Sequence, residues 1–403
     1  MALVGARRGT GTGTGRDVRL LFALGGATTA ALLPFFVLWL RDRGLTADRI
    51  GIVLAVSNLA GVLTAPAWGH VADTRLGSVG ALRVASVGAA LTALALVPTG
   101  SVFALILLVS AVHATMESPG TALADAIALG HLGVDRATSY GSIRLWASAG
   151  WAVAVIAFGA LFQRRGLGAV MPIYAGGMLL YALVLTARFQ RIRPEGRGSH
   201  GTLVASWGAL RSNRRLLIFL AGLLVVSTAT WGTWSFVPLR IASRGGGAFL
   251  VGLAAGLAAV VEIPFFRASA WLGRVAGQRL LYAAGCGIYI AMMVGWALVP
   301  APGVVAAIKV VGGAGFGLTY AALVVITGRL VPRELQATGQ TLMQVTGNWI
   351  GPILGSAAGG FVYRHVGPPA LFGGAAALLS VGVVVVWSSL RGVDERGPAA
   401  AVR

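Results

Sequence analysis

GIVLAVSNLAGVLTAPAWGHVAD, residues 51–73, returns in altered form in the second half of the chain as GLAAGLAAVVEIPFFRASAWLGR, residues 252–274. Both start at glycine (Gly51, Gly252), carry a proline (Pro66, Pro264) and end near Trp-Gly or Trp-Leu-Gly. Each is apolar over about 20 residues, the length an α-helix needs to cross the hydrocarbon core of a bilayer. An apolar segment of helix length that recurs once per half points to a duplicated membrane bundle, the plan of many secondary transporters.

Composition extends this reading to the whole chain. Of 403 residues, 57% are hydrophobic and 11% charged, and the mean hydropathy is +0.82. A soluble domain carries roughly 25% charged residues, so this chain has too little polar surface for water to wet it all round. Its apolar runs are long, unlike the short alternating segments of a barrel, and only helices or closed barrels satisfy their backbone in lipid. Twelve runs stand near 18–40, 50–72, 81–99, 102–128, 141–162, 168–187, 215–239, 248–273, 279–299, 302–329, 335–362 and 367–390. The expected fold is an all-α integral membrane protein with twelve transmembrane helices in two pseudo-symmetric six-helix halves. The polar stretch 188–214, beginning RFQRIRPEGRGSHG, follows the sixth run. It divides the chain into a tail (1–17), an N-terminal bundle (18–187), a linker (188–214), a C-terminal bundle (215–390) and a second tail (391–403).

The net charge of +20 is that of 31 arginines and one lysine against 12 acidic residues. The arginines sit in short loops between apolar runs, without interleaved aromatics, so they read as topology signals and no nucleic-acid partner is expected. With the N-terminus placed in the cytoplasm, the outside loops hold only Arg41, Arg43, Arg49, Arg164, Arg165, Arg240, Arg244 and Arg364. The other 23 fall inside, which puts both termini on the cytoplasmic face of the cell membrane. The Gly/Thr-rich start, MALVGARRGTGTGTGR, reads as a disordered tail, since no small-residue cleavage site follows the first apolar run. Cys286 is the single cysteine and lies inside an apolar run, so neither an intramolecular disulfide nor a metal cluster is expected. A phosphate-binding Gly-x-x-x-x-Gly-Lys-Ser/Thr loop is absent from the sequence. No cofactor is expected, and a monomer in the bilayer suffices.

An ionisable side chain at membrane depth costs roughly 2.5–3.5 kcal/mol even on a lenient insertion scale, which makes it a functional candidate. Glu262 lies two residues before Pro264, and Glu117 two residues before Pro119. Proline cannot donate to the carbonyl four residues back, which loosens the helix beside each acid. Burial favours the neutral form of a carboxyl, so both acids are candidates to bind and release a proton. His113, four residues before Glu117, shares its helical face and joins it as a proton-coupling candidate, or else is a histidine hydrogen-bonded within the bundle. Neither has partners at metal-ligand spacing, so no metal site is expected. Lys309, the only lysine, falls in the outer half of the tenth run. A buried ammonium calls for a carboxylate such as Glu117 or Glu262, for an anionic substrate, or for a route to snorkel outward. STATWGTWS (227–235) and QTLMQVTGNW (340–349) place Trp234, Gln344 and Asn348 where they either line a cavity or bond between helices.

GHVADTRLGSVGALR (69–83), after the second run, resembles the signature loop of the major facilitator superfamily. Gly69, Asp73 and Arg83 fit it; Thr74 stands where an arginine is usual, and Arg75 and Gly77 are each one place late. GLTADRIG (44–51), DAIAL (125–129), YGSIRLWASAGWA (140–152), EIPFF (262–266) and RELQATGQTL (333–342) resemble the branch of phenylpropionate permease-like and lactose permease-like proton symporters. The resemblance covers about residues 18–390. It implies a substrate-binding role for Arg144 and a ring-stacking role for Trp151. Asp125 lies one residue from the expected acidic partner. Asp73, Arg75 and Arg83 would hold the halves together on the cytoplasmic side. The lactose permease pattern follows its tenth-helix lysine with a histidine and a glutamate; here Gly312 and Gly315 occupy those places. The Gly-Pro motif that drug exporters carry in the fifth helix is missing, though GNWIGPILGSAAGG (347–360) has one in the eleventh.

The expected function is a secondary active transporter working by alternating access, with proton-coupled uptake of a small polar or aromatic-acid solute. A proton-driven antiporter exporting an apolar or cationic compound is the alternative. A transporter-like sensor is the alternative from another class. An enzyme is not expected, because no nucleophile–base or metal constellation is visible in the sequence.

Overall fold

A computed structural model of the chain describes residues 15–132, 136–189, 213–332 and 335–390. Most of the expected linker, most of the first expected tail and all of the second lie outside the described residues. The described residues form helices and turns with no strand. In chain order the helices are α1 (Gly15–Asp42), α2 (Ala47–Val71), α3 (Gly77–Leu96), α4 (Phe103–Glu117), α5 (Gly120–Leu132), α6 (Arg136–Arg165), α7 (Val170–Arg188) and α8 (Arg214–Trp234). They continue with α9 (Val237–Ala242), α10 (Ala248–Val275), α11 (Gln278–Leu298), α12 (Pro302–Leu330), α13 (Gln336–Val345), α14 (Gly351–His365) and α15 (Pro368–Ser389).

Ten stretches of the described residues are long and apolar enough to cross a membrane. One of them, Ala47–Thr99, has 53 residues. As a straight helix it would run about 80 Å, far more than the ~30 Å of hydrocarbon. It folds back at Gly77, whose φ of +69° is open to glycine but costly for a residue with a Cβ. It therefore contains two crossings, α2 and α3. The segment α13–α14 adds another, bringing the count among the described residues to the twelve that the sequence predicts. Large apolar side chains such as Leu63, Val153 and Val384 are 69%, 73% and 66% exposed, the arrangement expected where lipid is the solvent.

Two predicted runs are broken and a third is distorted, each beside a proline. Pro119 separates α4 from α5, Pro238 follows the gap between α8 and α9, and Pro352 opens α14 after a π-turn over Thr346–Ile350. Without an N–H, Pro119 cannot bond the carbonyl of Thr115. That carbonyl instead accepts from the Trp68 indole at 2.7 Å and the Ser118 hydroxyl at 3.1 Å, so no backbone acceptor is stranded in the apolar interior. Pro34, Pro66 and Pro264 lie inside unbroken helices.

Packing repeats between the halves. In the first, α1 lies on α6 and α7, α3 on α7, and the α4–α5 pair on α2 and α3. In the second, α8 lies on α14 and α15, α11 on α15, and α12 on α10 and α11. The halves meet through α2 on α14 and α6 on α10. Here the repeat's opening glycines find their use. A Cβ on Gly51 would lie 3.0 Å from the Gly360 Cα, and one on Gly252 would lie 3.1 Å from the Gly159 Cα. Small residues let the two backbones touch, which in lipid is a main source of helix association. Phe249 N–H donates to the Gln163 side-chain oxygen at 3.4 Å and His365 approaches Asp48 at 4.0 Å in the same zone. All of these contacts lie toward the end opposite the termini.

Candidate functional site

Two cavities stand one above the other between the helices. The first, about 680 Å³, is lined by the later part of α1, the first half of α2 and the second half of α4; its α1 and α2 residues place it toward the half opposite the termini. The second, about 520 Å³, is lined by the early part of α1, by α3, α5 and the early part of α6, nearer the termini. Four residues belong to both walls: Glu117, Trp151, Ala259 and Glu262. The two acids singled out by their prolines therefore stand at the junction between the cavities.

Their surroundings differ. Glu117 closes α4, and its carboxylate accepts from the Tyr174 hydroxyl of α7 at 3.3 Å. His113 Nε2 lies 3.9 Å from the other Glu117 oxygen, and His113 Nδ1 shares a hydrogen bond of 2.9 Å with the Thr92 hydroxyl of α3. His113 is 5% exposed, and its ring meets Tyr174 edge-on at 5.3 Å. This four-residue chain ties α3, α4 and α7 together. Thr92 and Tyr174 carried no signal in the sequence, being ordinary residues of apolar runs, and only the packing brings them to the acid.

Glu262 forms no hydrogen bond or ion pair among the described residues. Its backbone is held by α12: a Cβ on Gly313 would lie 3.0 Å from the Glu262 nitrogen, and one on Gly317 would lie 3.1 Å from its carbonyl oxygen. Lys309, two helical turns before Gly317, lines the first cavity, and its Nζ sits 3.8 Å from the centre of the Trp234 ring. Among the described residues no carboxylate comes within 4.0 Å of it, so the expected pairing with Glu117 or Glu262 is not made in this conformation. Glu117 is already engaged by His113 and Tyr174, and the attraction of a ring face partly replaces a counter-ion. Gly312 and Gly315, where the lactose permease pattern has side chains, approach α11: Cβ atoms there would meet Met292 at 2.6 Å and Tyr289 at 2.7 Å.

Arg144 of α6 donates to both oxygens of Asp125, at 3.2 and 3.3 Å, in the second cavity. Trp234 and Asn348 line the first cavity, as do Trp231 and Trp349, which sequence reasoning did not select. Asn348 and Trp349 reach the wall from the π-turn ahead of Pro352, a distortion that re-aims consecutive side chains. Gln344 lies outside both walls. It donates to the Tyr320 hydroxyl at 3.0 Å and accepts from the Asn348 amide, so it positions Asn348. Asp73 and Arg75 are exposed at the end of α2, Arg83 lies partly buried in α3, and none of the three has an ion-pair partner among the described residues. Among the described residues, then, they form no ion-pair clasp between the halves in this conformation.

Two stacked cavities with ionisable groups at their junction, inside a duplicated twelve-crossing bundle, define a multi-pass membrane transporter of small solutes. The chain belongs to the MFS_1 like family, whose model matches residues 20–373. It is 30% identical over 349 residues to the maltose permease of Geobacillus stearothermophilus, covering 86% of each chain. It is 31% identical over 269 residues to a probable 3-phenylpropionic acid transporter of Escherichia coli (strain K12), covering 64% of this chain and 67% of that one. The crystal structure of the nucleoside transporter NupG superposes with a TM-score of 0.79 over 94% of this chain and 98% of the other, at 18% identity, a likeness of fold.

Proposed function

We propose that this transporter is a proton-coupled importer of the cell membrane, monomeric, with both termini in the cytoplasm and the bundles 18–187 and 215–390 rocking about a central site. The observation that carries the reading is the placement of Glu262 and Glu117 in the wall common to both cavities. A carboxyl reachable from either cavity can take a proton from one side and yield it to the other as the bundles rock. Glu262 is the better proton carrier of the two, because no described residue bonds its oxygens. Glu117, His113, Tyr174 and Thr92 form a second station whose carboxylate is already stabilised. In the proposed orientation the close contacts at Gly51–Gly360 and Gly159–Gly252 seal the outer face, which makes this conformation inward-facing. Arg144 with Asp125, and Trp151, would meet the solute on its way inward.

The test is a direction assay in proteoliposomes containing the purified protein. An inward proton gradient is expected to drive solute accumulation, and solute entry is expected to acidify the lumen. Proton movement opposite to the solute would overturn import in favour of an antiporter.

A further inference from the structure

The relatives transport chemically unlike solutes, and the first cavity of this chain distinguishes between such classes. Among the described residues, Lys309 is the one lysine or arginine in its lining. Its Nζ forms no ion pair or hydrogen bond among the described residues; its one partner is the Trp234 ring. An ammonium has three donors, and a ring face answers at most one of them. Beside Lys309 the wall is built from rings and small apolar groups, while Glu117, Glu262, Asn58 and Asn348 line other parts of the cavity. Trp231 lies edge-on to Trp234 at 5.8 Å, Phe316 stands 6.3 Å from it, and Ala255, Ala258 and Gly312 also line the cavity.

Resting on the transport function proposed above, we infer that the substrate is a monocarboxylate with an apolar, ring-bearing body, its carboxylate on Lys309 and its ring against Trp231, Trp234 and Phe316. One acidic group answers the ammonium of Lys309, and a charge-assisted hydrogen bond is among the stronger contacts available. A flat apolar body matches aromatic walls, which favour offset or edge-on ring contacts.

The experiment is binding to the full chain in lipid nanodiscs, read by tryptophan fluorescence and thermal shift. The probes are 3-phenylpropanoate, its neutral amide, maltose and uridine. The acid is expected to bind at least about tenfold more tightly than the amide. Lys309→Met should erase that ratio, Lys309→Arg should keep part of it, and Trp234→Leu should weaken acid and amide alike. Each variant is compared only where its melting remains cooperative, and the acid/amide ratio of the unaltered protein is a test that needs no variant. The inference is overturned if maltose or uridine binds more tightly than the acid, if the acid does not bind, or if Lys309→Met leaves the ratio unchanged. The coupling reading fails separately: the acid would bind with Lys309 required, yet an imposed proton gradient would not drive its uptake.

Discussion

Glu117 and Glu262 look alike in the sequence, each two residues before a proline in an apolar run, yet the fold treats them differently. Pro119 ends its helix, and the carbonyl it frees is taken up by Trp68 and Ser118. Pro264 stays inside an unbroken helix braced by Gly313 and Gly317. Glu117 is bonded to Tyr174 and faces His113, whereas Glu262 lines both cavities with no hydrogen-bond or ion-pair partner among the described residues. A buried polar group that already has partners acts mainly in stability and alignment; one without partners is free to change its protonation state or meet a ligand. The same local motif therefore supplies a fixed station in the first half and an open one in the second.

The largest expected effect tests that contrast. Glu262→Gln should reduce proton-driven accumulation in proteoliposomes to simple equilibration while solute exchange continues. Uphill transport at the unaltered level would remove Glu262 from coupling and break the comparison. The second effect concerns the seal that makes this conformation closed at one end. Gly252→Leu overpacks the contact with Gly159, at a cost of about 1–3 kcal/mol to the closed arrangement. The balance should then shift toward the open form by roughly 5- to 150-fold. Alkylation of a cysteine introduced as Ser57→Cys in the first cavity reports it, with Cys286 buried and silent. Gly287→Leu, at a site with no atom within 4 Å of a Cβ, is the control and should leave alkylation unchanged.

A smaller effect separates the two acids by stability. Tyr174→Phe removes one hydrogen bond to Glu117 and should lower the unfolding free energy by about 1 kcal/mol, seen as a lower melting temperature in detergent. Glu262→Gln breaks no such bond and should melt close to the unaltered protein; equal losses in both would erase the distinction. The smallest effect is expected of Gln344→Ala. Gln344 touches Asn348 and not the cavity, so the variant should raise KM by a few-fold with kcat held.

Much of the fold was legible because lipid imposes a one-dimensional rule: a span needs about 20 apolar residues and must close its own hydrogen bonds. The twelve crossings, the duplication and the two acids follow from that rule and from the repeat beginning at Gly51 and Gly252. The breaks at Pro119 and Pro238 were invisible as breaks, because a proline that splits a helix and one that bends it look the same in sequence. Lys309 was found as a lone cation, but its partner was not, since which helix faces Trp234 depends on how the second half packs.

The sequence by itself determined that this chain spans a membrane, in how many passes, and which charges lie within it, because hydropathy and the cost of a buried charge act locally along the chain. The tertiary structure decided which of those charges have partners. Thr92, His113, Glu117 and Tyr174 come from three helices, and Lys309 and Trp234 from two more, and such meetings are set by helix packing across tens or hundreds of residues. The glycines joining Gly51 to Gly360 and Gly252 to Gly159 belong to both accounts: the repeat marked two of them, and only the fold showed what they touch.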